Sequence, residues 1–340
     1  MDYAAKLSRA AAAVAANDAL ARAIRDFGLR HHHVTRFELR AYERLQPTRD
    51  DSATTHALQA MKHLVRDWSA EGRAERDAVF PPILATMDAL FPPPARQDGG
   101  SGDGGARVLV PGAGLGRLAY ELASRGHRVV ANENSAHVLL ALRYLLSLGS
   151  SSSYASEPTA PAAEMHVLHP YVGWWSHHRS TTDMLRAVAF PDVLPDAAVL
   201  PRLSVVEGDF VSLFGDSSDA SGTFDAVATL FFIDTARNMV AYLAAIHAAL
   251  RLGGVWINLG PLLYGTAPWI ELSLDEVLQL AEAIGFELLP LDAALWGEDS
   301  FPDVQRWRGR VRSRLAGYSS DTMGLSRNAY LAQGWVARKL

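Results

Sequence analysis

A glycine-rich turn between an apolar run and a helical pattern is the most prominent candidate for ligand chemistry in the chain. The apolar run ends at Pro111, and Gly112 and Gly114 lie in the sequence GAGLG (112–116) that leads into the helical pattern. Glycines at such a point permit a tight turn and let a ligand approach the backbone. Glu133 ends the next predicted strand, where a carboxylate accepts hydrogen bonds from ribose hydroxyls in folds of this kind. The pattern predicts a nucleotide-like ligand.

The spacing of the glycines favours S-adenosylmethionine over a dinucleotide. A dinucleotide fingerprint reads G-x-G-x-x-G, and its pyrophosphate rests on the helix N-terminus, but here Arg117 stands in the place of the third glycine. S-adenosylmethionine has no phosphate and needs only the turn, the ribose acid and a slot for adenine. Asp209 and Phe210 fit that slot, because an aspartate accepts from the adenine amino group and a phenylalanine stacks on the ring. We expect S-adenosylmethionine, with a dinucleotide or no ligand as the alternatives.

Strands and helices alternate along the part of the chain that holds these residues. Apolar runs in RVLVPG, HRVVANE, LSVVEGDF, FDAVATLFFID and VWINLG predict strands, and YLAQGWVARK predicts a final one. Helices are predicted between most of them, including one that begins at Thr235. This order predicts an α/β fold with a mostly parallel sheet covered on both faces.

The chain before the predicted sheet has a helical pattern. Apolar residues recur at helical spacing between His56 and Phe91. Acidic residues in the Ala-rich N-terminus favour an ordinary helix over an organelle transit peptide, which is poor in acids. A run of three prolines and the sequence DGGSGDGG then break the pattern. We place a domain boundary there, with an N-terminal helical region at 1–97 and a second domain at 98–340.

Composition excludes several kinds of site and partner. The chain has 340 residues, a formal net charge of −5 and no cysteine, which excludes disulfides, thiolate zinc sites, iron–sulfur clusters and a cysteine nucleophile. The slight acidity argues against a general nucleic-acid binder, and no apolar run is long enough for a membrane span. The 12 histidines show no zinc-binding spacing, so we expect no metal. We expect a cytoplasmic chain, and the nucleus and a homodimer are left open.

Longer motifs of the chain resemble those of one known family. The segments LVPGAGLGRLAYELA, YVGWWSHHRSTTDMLRAVAFPDV, ATLFFIDTARN and GGVWINLGPLLY together resemble the carnosine N-methyltransferase family, from about Phe37 to the C-terminus. The resemblance implies a class I methyltransferase, Rossmann-like, with a mostly parallel seven-stranded sheet and an N-terminal helical region that helps to cover the cofactor. It also implies methyl transfer from S-adenosylmethionine to an imidazole nitrogen of a small histidine-containing molecule such as carnosine, which would give anserine.

The same resemblance implies roles for individual residues. On the cofactor side it implies contacts from eight of them: His63, Arg66, Gly112, Gly114, Glu133, Asp209, Phe210 and Leu230. Arg66 would reach the methionine carboxylate, and His63 stands where the family tends to have glutamine. On the acceptor side it implies Asp234, at the end of the fourth predicted strand, together with Tyr318 and Tyr330.

Two positions depart from the family pattern. Gly265 stands where the family has a histidine that helps to hold the acceptor, and Asn328 stands where it has a tyrosine. The stretch 296–318 is expanded as well. These departures predict a reshaped acceptor pocket. They leave open a related methyltransferase with a different small-molecule or histidyl-peptide acceptor, and a protein that binds S-adenosylmethionine without catalysis.

Several of these residues also have purely structural alternatives. Asp234 is a good N-cap for a helix that begins at Thr235, and the two tyrosines are equally suited to packing. His177 and His178 are further candidates for the rim of the acceptor pocket, although histidines are often only structural. The sequence does not choose between these roles.

Overall fold

The computed structural model divides into two compact units. It describes these residues: 2–31, 51–92, 104–150, 166–216, 218–318 and 321–340. The first unit combines three stretches of the chain: Met1–Arg76, Ser135–Ala197 and Ser319–Asn328. The second unit combines the other three: Asp77–Asn134, Ala198–Tyr318 and Ala329–Leu340. The boundary that the sequence predicts between residues 97 and 98 lies outside the described residues.

The strands that the sequence predicts occur in the predicted order, together with short helices and strands that it does not predict. The helices are α1 (Tyr3–His31), α2 (Asp51–Trp68), α3 (Arg73–Leu90), α4 (Arg117–Ser124), α5 (Ala136–Ser150), α6 (Thr181–Met184), α7 (Phe210–Phe214), α8 (Met239–Ala249), α9 (Leu274–Ile284) and α10 (Ala293–Trp296). The strands are β1 (Arg107–Pro111), β2 (Arg128–Glu133), β3 (His166–Leu168), β4 (Val188–Phe190), β5 (Leu203–Glu207), β6 (Phe224–Leu230), β7 (Leu250–Gly260), β8 (Phe286–Leu288), β9 (Glu298–Asp299), β10 (Val311–Gly317) and β11 (Ala329–Lys339).

The first unit is built from helices and a short antiparallel pair, β3 with β4. Helix α1 buries its small residues Ala10 and Ala13 in a cluster with Met184 of α6. Asn17, further along α1, makes a reciprocal pair with the backbone of His169: its Nδ2 donates to the carbonyl at 2.9 Å, and its Oδ1 accepts the N–H at 2.7 Å. The Ala-rich N-terminus is therefore a helix of this unit, as the sequence predicts.

The second unit contains the central sheet. Its strand order is β5-β2-β1-β6-β7-β11-β10-β9, with β8 paired to β11. Strands β5, β2, β1, β6 and β7 are parallel, whereas β11 runs antiparallel to both β7 and β10. Six of these strands are ones that the sequence predicts, and β8, β9 and β10 bring the sheet to nine strands, where the resemblance implies seven. The mostly parallel α/β fold is thus confirmed.

Apolar side chains cover the sheet on both faces. On one face Trp256 and Trp335 pack with α8 and α9, and on the other Val108 and Ile257 pack with α3 and α4. Parallel strands buried on both sides consist of near-continuous apolar residues, and β1 has that pattern. The sheet is therefore a rigid support for the residues at its edges.

The structure corrects the start of the helix that follows β6. The sequence predicts a start at Thr235, but residues 233–235 form a single 3-10 turn and α8 begins at Met239. Asn238 is its N-cap, because its side chain accepts the backbone N–H of Ala241 at 3.2 Å. Asp234 therefore does not cap this helix, and that structural alternative is wrong.

Strand β10 lies in the expanded stretch 296–318, where the sequence predicts no strand. Arg312 and Arg314 obscure its alternation of polar and apolar residues. Arg312 donates to the carbonyl of Leu291 at 3.2 Å, and Arg314 donates to that of Leu295 at 2.9 Å. The two arginines thus make hydrogen bonds to the backbone of residues 291–295, where a typical strand would make apolar contacts.

Candidate active site

The chemistry-bearing residues of the second unit lie along one edge of its sheet. Gly112 follows β1, Glu133 ends β2, Asp209 follows β5 and Asp234 follows β6. These strands are neighbours and parallel, so their carboxyl ends meet at the same edge, which is where ligands bind in open α/β sheets. The structure therefore brings these sequence-predicted residues together.

The turn after β1 requires glycine. Gly112, Gly114 and Gly116 have φ angles of 60°, 57° and 73°, in the left-handed region that residues with side chains rarely adopt. A Cβ atom on Gly112 would lie 2.4 Å from Cδ2 of Phe232. The turn thus leaves bare backbone at the sheet edge, and a ligand can approach it closely.

Glu133 is held in place at this edge by backbone donors. The N–H of Gly114 donates to its Oε2 at 3.0 Å, and the N–H of Asn134 donates to its Oε1 at 2.9 Å. An ionised carboxylate has about four acceptor sites, which is more than these two backbone donors need. Its location and chemistry fit the hydroxyls of a ribose.

Asp209 and Phe210 form the beginning of α7. The Asp209 carboxylate caps this helix by accepting from the N–H of Ser212 at 2.9 Å and from its hydroxyl at 2.7 Å. The ring of Phe210 is only 3% exposed and packs edge-on against Phe232 and Tyr242, with centroids 5.3 and 5.6 Å away. Their roles at adenine stay predictions, as does that of the half-buried Leu230 at the end of β6.

Asp234 is a buried carboxylate just beyond β6. It is 9% exposed, and its Oδ2 accepts the N–H of Leu263 at 3.4 Å. Burial raises the pKa of Asp234 to about 6, because the charged form is poorly solvated there. A carboxyl group with such a pKa next to a ligand-binding edge is suited to accept a hydrogen bond or a proton.

Three aromatic rings meet at the same edge. The centroid of Phe231 lies 5.0 Å from that of Tyr318 and 6.2 Å from that of Tyr330, and the two tyrosine rings are 5.7 Å apart. Phe231 has a φ of 52°, which turns its ring toward the tyrosines while Phe232 packs into the core. The sequence did not single out Phe231, because nothing in the pair of phenylalanines shows which one leaves the core.

The two remaining cofactor-side candidates lie on α2 in the first unit. Arg66 binds the Asp67 carboxylate through Nε at 2.7 Å and Nη2 at 3.0 Å. Burial and the nearby Arg66 lower the pKa of His63 to about 4, so its imidazole is neutral near pH 7. Their contacts with the cofactor stay predictions.

Within the described ranges, no cluster of three histidine, aspartate or glutamate side chains is placed to hold a metal ion. In that same part of the chain, no helix is both long and apolar enough to cross a membrane.

Comparison with known sequences decides the family. The profile of the family described as carnosine N-methyltransferase matches residues 43–339, which is most of the chain. This chain belongs to the carnosine N-methyltransferase family. The assignment confirms the resemblance seen in the sequence, the class I methyltransferase fold and S-adenosylmethionine as the cofactor, which the glycine turn and Glu133 fit.

Named carnosine N-methyltransferases from animals and fungi are similar to this chain. The rat protein is 37% identical over 236 residues, which cover 67% of this chain and 54% of the rat protein. The fission yeast (Schizosaccharomyces pombe) protein is 33% identical over 245 residues, covering 67% of this chain and 61% of its own. The Drosophila melanogaster protein is 30% identical over 289 residues, covering 83% and 55%. The chain thus spans little more than half the length of these relatives.

Solved methyltransferase structures are more distant. A TehB-like S-adenosylmethionine-dependent methyltransferase from Corynebacterium glutamicum is 15% identical, with a TM-score of 0.40 over 86% of this chain and 100% of its own. The magnesium protoporphyrin IX methyltransferase from Synechocystis is 11% identical, with a TM-score of 0.41 over 79% and 85%.

Proposed function

We propose that this chain transfers a methyl group from S-adenosylmethionine to an imidazole nitrogen of a small histidine-containing acceptor such as carnosine, for which the product would be anserine. The observation that carries the proposal is the buried carboxylate of Asp234 at the sheet edge where Phe231, Tyr318 and Tyr330 also meet. A carboxylate and aromatic rings are what an imidazole needs: an acceptor for its N–H and flat apolar surfaces for its faces.

The cofactor, when bound, supplies a methyl group on a positively charged sulfonium. An imidazole with an ordinary pKa of about 6.5 is mostly neutral near pH 7 and has a free lone pair. The site therefore needs little proton abstraction before the attack. Its tasks are to choose the tautomer, aim the lone pair and exclude water, and positioning of this kind can supply about 7–11 kcal/mol of a barrier.

Asp234 is suited to choose the tautomer. Above a pKa of about 6 its carboxylate is ionised and accepts the N–H of the acceptor's far ring nitrogen, which leaves the other nitrogen free to attack. A carboxylate orients an imidazole in the same way in hydrolytic triads. As the new N–C bond forms and the S–C bond breaks, positive charge develops on the imidazole. In this proposal the carboxylate of Asp234 stabilises that charge and takes up the N–H proton.

The aromatic trio of Phe231, Tyr318 and Tyr330 is suited to hold the ring. Aromatic faces pack on a flat imidazole and exclude water from it. They also favour a cation near their faces, so they stabilise the imidazolium that forms during transfer more than the neutral acceptor. Binding that strengthens in the transition state accelerates the reaction.

Gly265 favours a different acceptor as the second candidate. A Cβ built on Gly265 meets no heavy atom within 4 Å. Open space therefore lies where the family has the side chain of a histidine. Its neighbour Thr266 is tied to the carbonyl of Thr235 at 2.9 Å, which keeps the segment beside Asp234. An acceptor that fills this space in place of a histidine side chain fits the departure.

The experiment is methyl transfer from labelled S-adenosylmethionine to a panel of imidazole compounds. The panel holds carnosine, free histidine and short histidyl peptides, with anserine as a control whose ring is already methylated. We expect label on carnosine or another member of the panel, and nuclear magnetic resonance assigns the methylated nitrogen. Binding of S-adenosylhomocysteine without transfer to any member contradicts the proposal and leaves a cofactor-binding protein without this catalysis.

A further inference from the structure

The loop that joins β10 to β11 is bound by charged side chains of the first unit. Tyr318 follows β10 and Tyr330 lies at the start of β11, where it pairs with Ala316. The segment between the tyrosines, residues 321–328, is assigned to the first unit, although both tyrosines belong to the second. We call this segment the tyrosine connector.

Arg186 is the centre of this binding. Its Nη2 donates to Oδ1 of Asp321 in the tyrosine connector at 2.6 Å. The same guanidinium donates to both oxygens of Glu71, and it lies 3.9 Å from the ring centroid of Tyr171, whose hydroxyl donates to Glu71 at 2.8 Å. The side chains of Arg186, Asp321 and Glu71 are less than a fifth exposed. We call these four residues the Arg186 cluster.

Further contacts continue along the tyrosine connector. The hydroxyl of Thr322 donates to Oε1 of Glu71 at 3.1 Å. The N–H of Leu325 donates to the carbonyl of His177 at 2.8 Å, and Gly324 forms a β-bridge with His178. The motif that contains His177 and His178 therefore contacts the connector through its backbone.

Polar contacts decide where this connector lies. Its apolar side chains contribute little, because Met323 and Leu325 are 42% and 67% exposed. Charge-assisted hydrogen bonds in a poorly solvated cluster are strong. Loss of Asp321 removes the ion pair that joins the connector to Arg186, and loss of Arg186 leaves the carboxylates of Glu71 and Asp321 without this cation. The removal of Asp321 or Arg186 should therefore release the connector.

We propose that the Arg186 cluster, through the tyrosine connector, positions Tyr318 and Tyr330 for the methyl acceptor. The inference rests on the proposed function for the role of the tyrosines. Tyr318 lies three residues before Asp321, a span of at most about 11 Å, so the anchor restricts how far that ring moves. Arg186 and Asp321 are positioning residues in this scheme, and they act on acceptor use and not on the cofactor.

The test compares Asp321→Asn and Arg186→Gln with the wild-type chain. The matched control is Arg22→Gln, which breaks an exposed ion pair with Asp18 on α1 of the same unit. A milder variant, Thr322→Ala, removes one hydrogen bond to Glu71 and leaves the ion pairs intact. The readouts are kcat and KM for the acceptor, the Kd for S-adenosylhomocysteine by calorimetry, and amide hydrogen exchange over residues 321–331.

We expect kcat/KM for the acceptor to fall about 10- to 100-fold in both cluster variants, the scale of a small misplacement at a reacting group. The Kd for S-adenosylhomocysteine should stay at the wild-type value, and exchange should accelerate in the connector and at Tyr330. Thr322→Ala should show the same pattern more weakly, and Arg22→Gln should behave as wild type.

Two results overturn the inference. One is faster exchange in the connector with unchanged acceptor kinetics, because the connector would then be held for another reason. The other is a loss of cofactor affinity that equals the loss of turnover, which indicates a general structural role.

If the wild-type chain methylates no acceptor, the proposed function fails. Exchange at Tyr330 alone then decides the inference, and unchanged exchange there in Asp321→Asn refutes it.

Discussion

The backbone N–H of Gly114 donates to Oε2 of Glu133 across 3.0 Å. One carboxylate thus joins the glycine turn after β1 to the end of β2, so that the two parts of the predicted cofactor site support each other. The turn keeps the carboxylate at the sheet edge, and the carboxylate satisfies an N–H of the turn that would otherwise need water. A ligand that uses both features meets a site that is already assembled.

The first prediction concerns Glu133→Gln. A glutamine oxygen still accepts from Gly114, but its amide NH₂ then faces the N–H of Asn134 or a ribose hydroxyl, and one acceptor is lost. We expect the affinity for S-adenosylhomocysteine to weaken by about 1–3 kcal/mol, the cost of an unmade buried hydrogen bond. Calorimetry measures this. Glu287→Gln, at an exposed site on β8, is the control, and equal affinities in the two variants would exclude Glu133 from the site.

The second prediction separates contact from backbone strain in the glycine turn. Gly112→Ala places a Cβ 2.4 Å from Phe232 and also has an unfavourable φ of 60°, so we expect a loss of about 1–3 kcal/mol in the free energy of unfolding. Gly222→Ala shares the positive φ without a neighbour within 4 Å, and Gly265→Ala has neither problem. Urea unfolding should rank the three variants in this order, with Gly265→Ala within about 0.5 kcal/mol of wild type.

The residues predicted to bind the cofactor lie at one edge of the sheet, and the sequence predicts this arrangement because the signals are local. Glycines in a turn, an acid at a strand end and apolar runs each depend on neighbours a few residues away, and Gly112, Glu133 and β1 lie where the pattern predicts. The start of α8 was missed for a local reason as well. Asp234 and Asn238 are both good caps, and the choice depends on the 3-10 turn at 233–235.

The acceptor side was harder to predict because its contacts join distant parts of the chain. Phe231 meets Tyr318 and Tyr330 only through the sheet order and a positive φ. The pairing of Arg186 with Asp321 links positions 135 residues apart. The periodicity of the sequence predicts neither of these two contacts.

The third prediction concerns acid stability and His63. The folded-state pKa of His63 is about 4 because of burial, whereas an unfolded histidine has a pKa of about 6.5. Between these values the unfolded chain binds a proton that the folded chain does not, so stability falls as the pH drops from 6.5 toward 4, by at most about 1.4 kcal/mol per pH unit. Glutamine does not titrate.

Chemical denaturation of His63→Gln at pH 7 and pH 5 measures this effect. We expect the variant to lose less stability than wild type between the two values. His137→Gln, at an exposed position on α5, is the control and should lose as much as wild type. A pH dependence that is the same in all three proteins would show that His63 is not protected from protons in the folded state.

The fourth prediction is the pH dependence of turnover. Asp234 must be ionised to accept the acceptor's N–H, and its pKa of about 6 lies close to that of the acceptor imidazole, about 6.5. Protonation of either group stops the reaction. We therefore expect kcat/KM for the acceptor to be level above pH 7 and to fall by more than one logarithmic unit per pH unit below about 6. A fall with unit slope would indicate that the acceptor alone titrates.

The fifth prediction separates catalysis from cofactor binding at Asp234. Asp234→Asn keeps the shape of the side chain but replaces a charge-assisted hydrogen bond with a weaker one, and the amide NH₂ favours the wrong imidazole tautomer. We expect the rate to fall at least about 10²-fold with the affinity for S-adenosylhomocysteine kept. The acid limb of the pH profile should then have the unit slope of the acceptor alone, because the variant has no carboxyl group to titrate.

Asn238→Ala is the matched control for this variant, since it removes the true cap of α8 four residues away. We expect it to lower the free energy of unfolding by about 1 kcal/mol, with a rate per folded molecule close to wild type. Asp234→Asn should show the opposite pattern, a lost rate with little change in stability, because its weak hydrogen bond to Leu263 at 3.4 Å can still be made by the amide oxygen. Near wild-type turnover in Asp234→Asn would remove Asp234 from the catalytic residues and leave Tyr318 and Tyr330 as the candidates that hold the acceptor.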